Sequence, residues 1–250
     1  MDGSSPANVS EPTKGADYRA RPRARAASVA FRTDLIATMA AAGLIWTTLF
    51  SAQADTTIDI AKNSPGSAPA EFEFKLTGYG PLGQWTVVTD SSAASRMAIE
   101  HVNRDLHEDR YRLAVYSPLS LKNVTVAARF KIIAGTMQTA GIAVRLSDER
   151  NYYAITASAL DSRVDLYRVV DGRMERVAGV DADVFTDHWQ TLAVIADGDH
   201  FTVSLDAKQL FTAWDRTFLS DGRVGLWTED DNITRFDQVE ITPLPWSERR

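Results

Sequence analysis

Four side chains of the kind that hold a sugar share one position in the sequence pattern. Arg129, Arg145, Tyr167 and Trp227 each sit in a run of alternating apolar and polar residues, on the side opposite the apolar ones. Tyr152 joins them if Tyr153 and Ile155 point inward. Aromatic faces stack on the C–H surfaces of sugars, and guanidinium groups give fixed hydrogen bonds to hydroxyls or carboxylates. A sheet face carrying both is what an oligosaccharide or uronate groove requires. Two residues beyond Trp227, Glu229 opens the run Glu229-Asp230-Asp231-Asn232. Its hard oxygens could bind Ca²⁺, or two carboxylates could serve glycoside chemistry. Neighbours on a strand point to opposite faces, so a catalytic pair needs the loop to fold back, and Asp and Asn equally suit a solvated hairpin tip.

Other chemistries find less support. The chain has no cysteine, which excludes disulfides, cysteine-ligated zinc, iron–sulfur clusters and a thiol nucleophile. His101, Asp105 and His107 invite a zinc reading, yet their spacing matches no metal motif and fits surface or loop histidines better. There is neither a Gly-x-Ser-x-Gly elbow nor a phosphate-binding glycine loop.

The elements that would position these residues are strands. Period-2 alternation is clearest over 124–133, 140–147, 163–170, 189–196, 201–205, 223–228 and 236–241. Weaker runs cover 72–76, 85–89, 97–102 and 111–115, and only 91–100 and 104–109 offer room for a short helical turn. Asp171-Gly172 and Asp197-Gly198-Asp199 supply the positive φ angles of tight hairpins. Phe130, Trp189 and Phe201 alternate with polar neighbours and are expected in the core. A dozen or so such strands predict an all-β, antiparallel two-sheet sandwich over residues 71–243, with a flexible lead-in at 55–70 and a tail at 244–250.

The first 54 residues read differently. A basic stretch with Arg19, Arg21, Arg23, Arg25 and Arg32 precedes an apolar run over 35–50, and Ser51-Ala52-Gln53-Ala54 follows. That is the order of a secretory signal peptide, here with an extended basic region, and the run is short for a membrane span. The expected location is periplasmic or extracellular, with no stable span after cleavage. Residues 1–54 hold six basic and four acidic side chains; the remainder has 21 basic and 29 acidic ones, a net charge of −8. Such a balance disfavours nucleic acid and anionic membranes as partners.

Several short segments together resemble a known pattern. They are Ala140-Gly141-Ile142 with Arg145, Asn151-Tyr152-Tyr153, Trp189-x-x-Leu192-x-Val194, and Val203-x-Leu205-Asp206, closed by Gly222-x-Val224-Gly225-Leu226-Trp227 and Phe236-Asp237. The chain resembles the concanavalin A-like lectin/glucanase superfamily, in particular its laminin-G-like and 3-keto-disaccharide hydrolase-like (DUF1080-type) exported domains. The resemblance implies a jelly roll whose concave sheet faces carbohydrate, and a structural Ca²⁺ held by an Asp of the last strand, which would be Asp237. The Glu-x-Asp-x-x-Glu motif of the glucanase branch is absent. The first expectation is therefore a lectin-like module binding a carbohydrate or envelope glycan through Arg129, Arg145, Tyr152, Tyr167, Trp227 and Glu229. A hydrolase or lyase on (3-keto-)disaccharide-type sugars and an envelope protein-interaction domain are the alternatives.

Overall fold

The computed structural model describes residues 54–102 and 110–245. The expected signal segment, apart from Ala54, lies outside the described residues, as do Asp105, His107 and most of the expected tail. Fifteen strands run through the described part: β1 (Thr56–Thr57), β2 (Phe72–Thr77), β3 (Gln84–Thr89), β4 (Met97–Val102), β5 (Tyr111–Leu121), β6 (Val124–Ala134), β7 (Thr139–Asp148) and β8 (Asn151–Ser158). They continue with β9 (Arg163–Val170), β10 (Arg173–Asp181), β11 (Gln190–Asp197), β12 (His200–Leu205), β13 (Lys208–Trp214), β14 (Gly222–Glu229) and β15 (Ile233–Pro243). A 3₁₀ turn over Ile60–Lys62 is the one helical element among the described residues, and no helix there is long and apolar enough to cross a membrane.

The strands form two antiparallel sheets. Sheet I has the order β13-β12-β11-β6-β15-β4-β3, with β1 also paired to β15, and sheet II has the order β10-β9-β8-β7-β14-β5-β2. Alternation dictates the packing. Val126, Ala128 and Phe130 of β6, Leu192 and Val194 of β11 and Phe236 of β15 meet Ile142 and Val144 of β7, Tyr153 and Ile155 of β8, Val164 and Leu166 of β9, and Val224 and Leu226 of β14 in one buried cluster. The Asp171-Gly172 turn joins β9 to β10 with φ of 51° and 80°, as tight hairpin geometry requires.

Three expectations change. Residues 55–70 are anchored, not loose: β1 pairs with β15, Ile58 and Ile60 are buried in the core, and Gly66 and Ser67 exchange backbone hydrogen bonds with Val87. Residues 91–96 form turns, and β4 follows at Met97. Trp189 lies just before β11 and outside the core. Its indole sits between two cations, Arg129 at 4.7 Å and Lys131 at 4.8 Å, and its Nε1–H donates to Ser92 Oγ.

Sheet II has a second apolar cluster on its other face, built from Tyr111, Leu113, Val115, Ala143, Leu146, Tyr152, Ala154, Val169 and Trp227, with Tyr167 and Met174 packed against it. Gly141 makes room for it, because a Cβ there would stand 3.0 Å from Trp227 Cε3 and 2.7 Å from the Ile155 carbonyl oxygen. The curvature of the sheet follows from one contact. Thr77 on edge strand β2 and Tyr152 on β8 share a hydrogen bond of 2.8 Å between their hydroxyls. Three strands separate β2 from β8, so in a flat sheet they would lie about 19 Å apart. That gap exceeds what a Thr and a Tyr side chain can bridge. Sheet II is therefore rolled, and the face carrying Trp227 is its concave one.

Candidate ligand-binding site

The concave face divides where it rolls shut. Thr77 Oγ1 also donates to the Glu149 carbonyl at 2.5 Å, and Lys75 Nζ lies 3.6 Å from Glu149 Oε2. These contacts partition the groove. On one side lies a recess of about 270 Å³ between the ends of β5, β7, β8, β9 and β14. Its apolar floor is Trp227, stacked on Tyr111 with ring centres 5.3 Å apart, and Tyr167 and Met174 form one wall. Its polar lining comes from Thr139, Thr156, Ser158, Asp161, Asp165 and Glu229.

The polar groups are fixed by one another. Asp165 is buried and accepts from Arg163 Nε at 2.5 Å, Arg163 Nη2 at 3.0 Å and Arg176 Nε at 2.6 Å. Thr139 Oγ1 donates to Glu229 Oε2 at 3.3 Å, and Ser158 Oγ donates to Asp161 Oδ2 at 3.1 Å. Burial pushes the Tyr167 phenol above its ordinary pKa, and the Asp165 carboxylate adds to the effect, so this hydroxyl is a protonated donor near neutrality. Three carboxylates face two guanidinium groups, and both guanidiniums are committed to Asp165. The recess therefore presents fixed acceptors, hydroxyls and a half-buried phenol ring, with a negative balance of charge.

Of the side chains singled out in the sequence, the structure gathers Tyr152, Tyr167, Trp227 and Glu229 on the concave face and places both arginines elsewhere. Trp227 and Tyr152 are completely buried, so they shape the floor without offering an open ring. Arg145 breaks the alternation. It has φ of +52° inside a register shift between Val144 and Asp148, and the bulge turns its side chain off the concave face. Its guanidinium donates to the carbonyls of Lys122 at 3.0 Å and Phe218 at 2.9 Å, over the Phe201 ring. Arg129 belongs to sheet I, on the far side of the sandwich from Trp227, and pairs with Asp237 at 2.8 Å.

That pairing bears on calcium. Asp237 Oδ2 accepts both from Arg129 and from the Ala94 amide at 2.8 Å. Burial raises its pKa, although the amide and Arg129 pull the other way. Oδ2 is thus held by a guanidinium and an amide, while Oδ1 is buried with no protein partner and is the one oxygen of this carboxylate left for the expected Ca²⁺. Among the described residues no group of three or more His, Asp or Glu side chains could hold a metal ion.

The acidic run is a clasp and not a solvated tip. Asn232 is buried and donates to the carbonyl and hydroxyl of Thr139 while accepting from the Gln138 amide. Asp231 accepts from the amide and hydroxyl of Thr136, and Asp230 accepts from the Arg110 amide. These bonds tie the β14–β15 turn to the start of β7 and so set the position of Thr139 and Glu229. His101 is likewise no surface residue. It is buried against Trp85, with Nδ1 3.1 Å from the Asn232 carbonyl oxygen. Sequence reasoning missed Tyr111, Thr139, Thr156, Ser158, Asp165 and Arg176. Asp165, two residues before Tyr167, and Thr156 and Ser158, four and six residues after Tyr152, carried a signal, since even spacing puts them on the same faces as those tyrosines.

No protein-family model matches the chain, and no curated protein matches its sequence. Solved structures do. The carbohydrate-binding module CBM66 from Bacillus subtilis aligns over 70% of this chain and 99% of its own, at 18% identity and a TM-score of 0.55. A B. subtilis protein of unknown function with a galectin-like fold aligns over 68% and 89%, at 10% identity and 0.49. The exoplasmic/lumenal domain of VIP36, in a form bound to Ca²⁺ and mannose, aligns over 74% and 87%, at 16% identity and 0.46. The likeness to the B. subtilis module shows the fold, an antiparallel two-sheet β-sandwich of the jelly-roll kind.

Proposed function

We propose that this protein is an exported glycan-binding module whose ligand occupies the 270 Å³ recess on the concave face of sheet II. The observation that carries the reading is the recess itself. It joins the accessible edge of the Tyr167 ring to fixed hydroxyl and carboxylate groups, and its volume is at the small end for ligand pockets, which suits a single sugar ring. The similar module from B. subtilis is carbohydrate-binding by name, which supports the same use of the same fold. With Arg129 and Arg145 removed from the site and Arg163 and Arg176 held by Asp165, an anionic uronate would meet a negative recess. The sugar class is uncharged. Export rests on the basic, apolar and small-residue order of residues 1–54.

One observation favours a second reading, a hydrolase or lyase, because Asp161, Asp165 and Glu229 line a single recess. Both readings are tested by a broad glycan array probed with the purified protein, followed by incubation with any bound glycan and analysis for products. Selective binding that weakens about threefold to tenfold in Tyr167→Ala, without turnover, supports the binding module. Turnover moves the protein to the second reading. A blank array from folded protein overturns both and leaves a protein partner on the concave face.

A further inference from the structure

Beyond the Thr77–Tyr152 partition lies a second recess, of about 340 Å³, lined by Leu76, Tyr79, Glu149, Arg150, Asp171 and Gly172. Tyr79 stands at its edge with 87% of its surface exposed, on a loop where Gly78 and Gly80 have φ of 101° and 129°. A large apolar ring left this open beside a cavity is the side chain that sugar C–H faces cover. Across from it, Arg150 Nη2 donates to the Asp171 carbonyl at 2.9 Å, which fixes the guanidinium plane. Arg150 itself lines the recess, so a guanidinium held at one nitrogen borders it. Glu149 and Asp171 supply acceptors, and Lys75 beside Glu149 keeps the local charge near balance.

We propose that this recess is a second sugar-binding subsite for an uncharged sugar, with Tyr79 as its stacking face and Arg150 as its fixed donor. The inference rests on the glycan-binding reading of the protein and adds a site to it. The two recesses share no lining residue, so each subsite takes its own sugar residue.

The test is a ¹H–¹⁵N NMR titration of the purified protein with methyl β-D-glucopyranoside, methyl β-D-galactopyranoside and methyl α-D-mannopyranoside, each to about 100 mM. Amides of Gly78, Tyr79 and Gly172 report the second recess, and those of Thr139, Thr156 and Tyr167 report the first. The expected result is two groups of shifts with independent saturation for at least one sugar. Tyr79→Ala, at a solvent-exposed position, removes the shifts at Gly78 and Gly172 and leaves those at Thr139, Thr156 and Tyr167, and Tyr167→Ala removes the shifts at Thr139 and Thr156 and leaves those at Gly78, Tyr79 and Gly172. Shifts confined to Thr139, Thr156 and Tyr167, or shifts at Gly78 and Gly172 that survive unchanged in both Arg150→Ala and Tyr79→Ala, overturn the second subsite while leaving the first reading intact. Shifts confined to Gly78, Tyr79 and Gly172 uphold the second subsite against the first. Silence in both groups sinks both.

Discussion

His101 allows the core of sheet I to be probed by pH. Its ring is buried between Trp85 and the β14–β15 turn, and its Nδ1–H points at the Asn232 carbonyl, which leaves Nε2 as the unprotonated nitrogen with no partner. Burial holds the pKa down from 6.5 to about 4; the Asn232 hydrogen bond opposes this and the nearby Arg112 charge reinforces it. Between those two values the unfolded chain binds a proton at this position and the folded chain does not. Stability must therefore fall as pH drops from 6.5 towards 4, and the loss is on the order of 3 kcal/mol. Against a total of about 5–15 kcal/mol for a domain, that is a large share. The perturbation is His101→Asn, which keeps an N–H donor for the Asn232 carbonyl but cannot titrate. Urea denaturation at pH 7, 6, 5 and 4 is the assay. The variant is expected to be less stable at pH 7, through lost packing, and to show a flatter dependence, so that the gap between the two proteins narrows by about 3 kcal/mol towards pH 4. Parallel curves for the two proteins over that range would refute a buried, neutral His101.

Three further outcomes follow from the same contacts. Asp90 accepts from Lys131 Nζ at 2.6 Å and Arg235 Nη1 at 2.9 Å; burial alone would raise its pKa, but these bonds and those from Ser92 outweigh it and hold the carboxyl well below the usual range. Asp90→Ala is expected to cost about 2–3 kcal/mol at pH 7 by stranding Lys131, a deficit that shrinks once the pH falls through the depressed pKa, as chemical denaturation would show. Arg145→Met removes the donors to the Lys122 and Phe218 carbonyls, so it is expected to lower stability by about 2 kcal/mol while leaving glycan affinity unchanged on the array. Tyr152→Phe cuts the partition's bond to Thr77 at a cost of about 1 kcal/mol, seen as a melting shift of about 2–4 °C.

The strands were legible where one face is apolar and the other is not. The runs over 124–133 and 163–170 alternate cleanly, and β6 and β9 occupy nearly those residues. The strand β8 was not singled out, because both its faces are buried: Tyr153 and Ile155 enter the main core while Tyr152 and Ala154 enter the second cluster, and no alternation survives. The edge strands β10 and β13 fail for the opposite reason, being largely exposed on both faces. Trp189 misled because an indole beside alternating apolar residues reads as core. Its actual partners, Arg129 and Lys131, are some sixty residues away in sequence, and their cationic faces satisfy the ring at the surface.

The site was legible as a face but not as a place on it. Side-chain parity sets Tyr152, Tyr167, Trp227 and Glu229 opposite the apolar residues of their own strands, and the pairing of β8, β9 and β14 in sheet II is what brings them to one face. Parity has no means of registering a bulge, and one residue at φ of +52° was enough to move Arg145 from the groove to the Lys122 and Phe218 carbonyls. Nor can it assign a strand to a sheet, so Arg129 was grouped with Trp227 although the two lie on opposite sheets. The recess itself depends on the roll of sheet II, marked by Thr77 with Tyr152, and on the clasp at its end, made by Thr139 with Asn232, pairs separated by 75 and 93 residues. Threonine at such positions looks like any strand residue. Its hydroxyl gains meaning only when a distant partner arrives, and here those arrivals both close the groove and leave open the two recesses in which a sugar can sit.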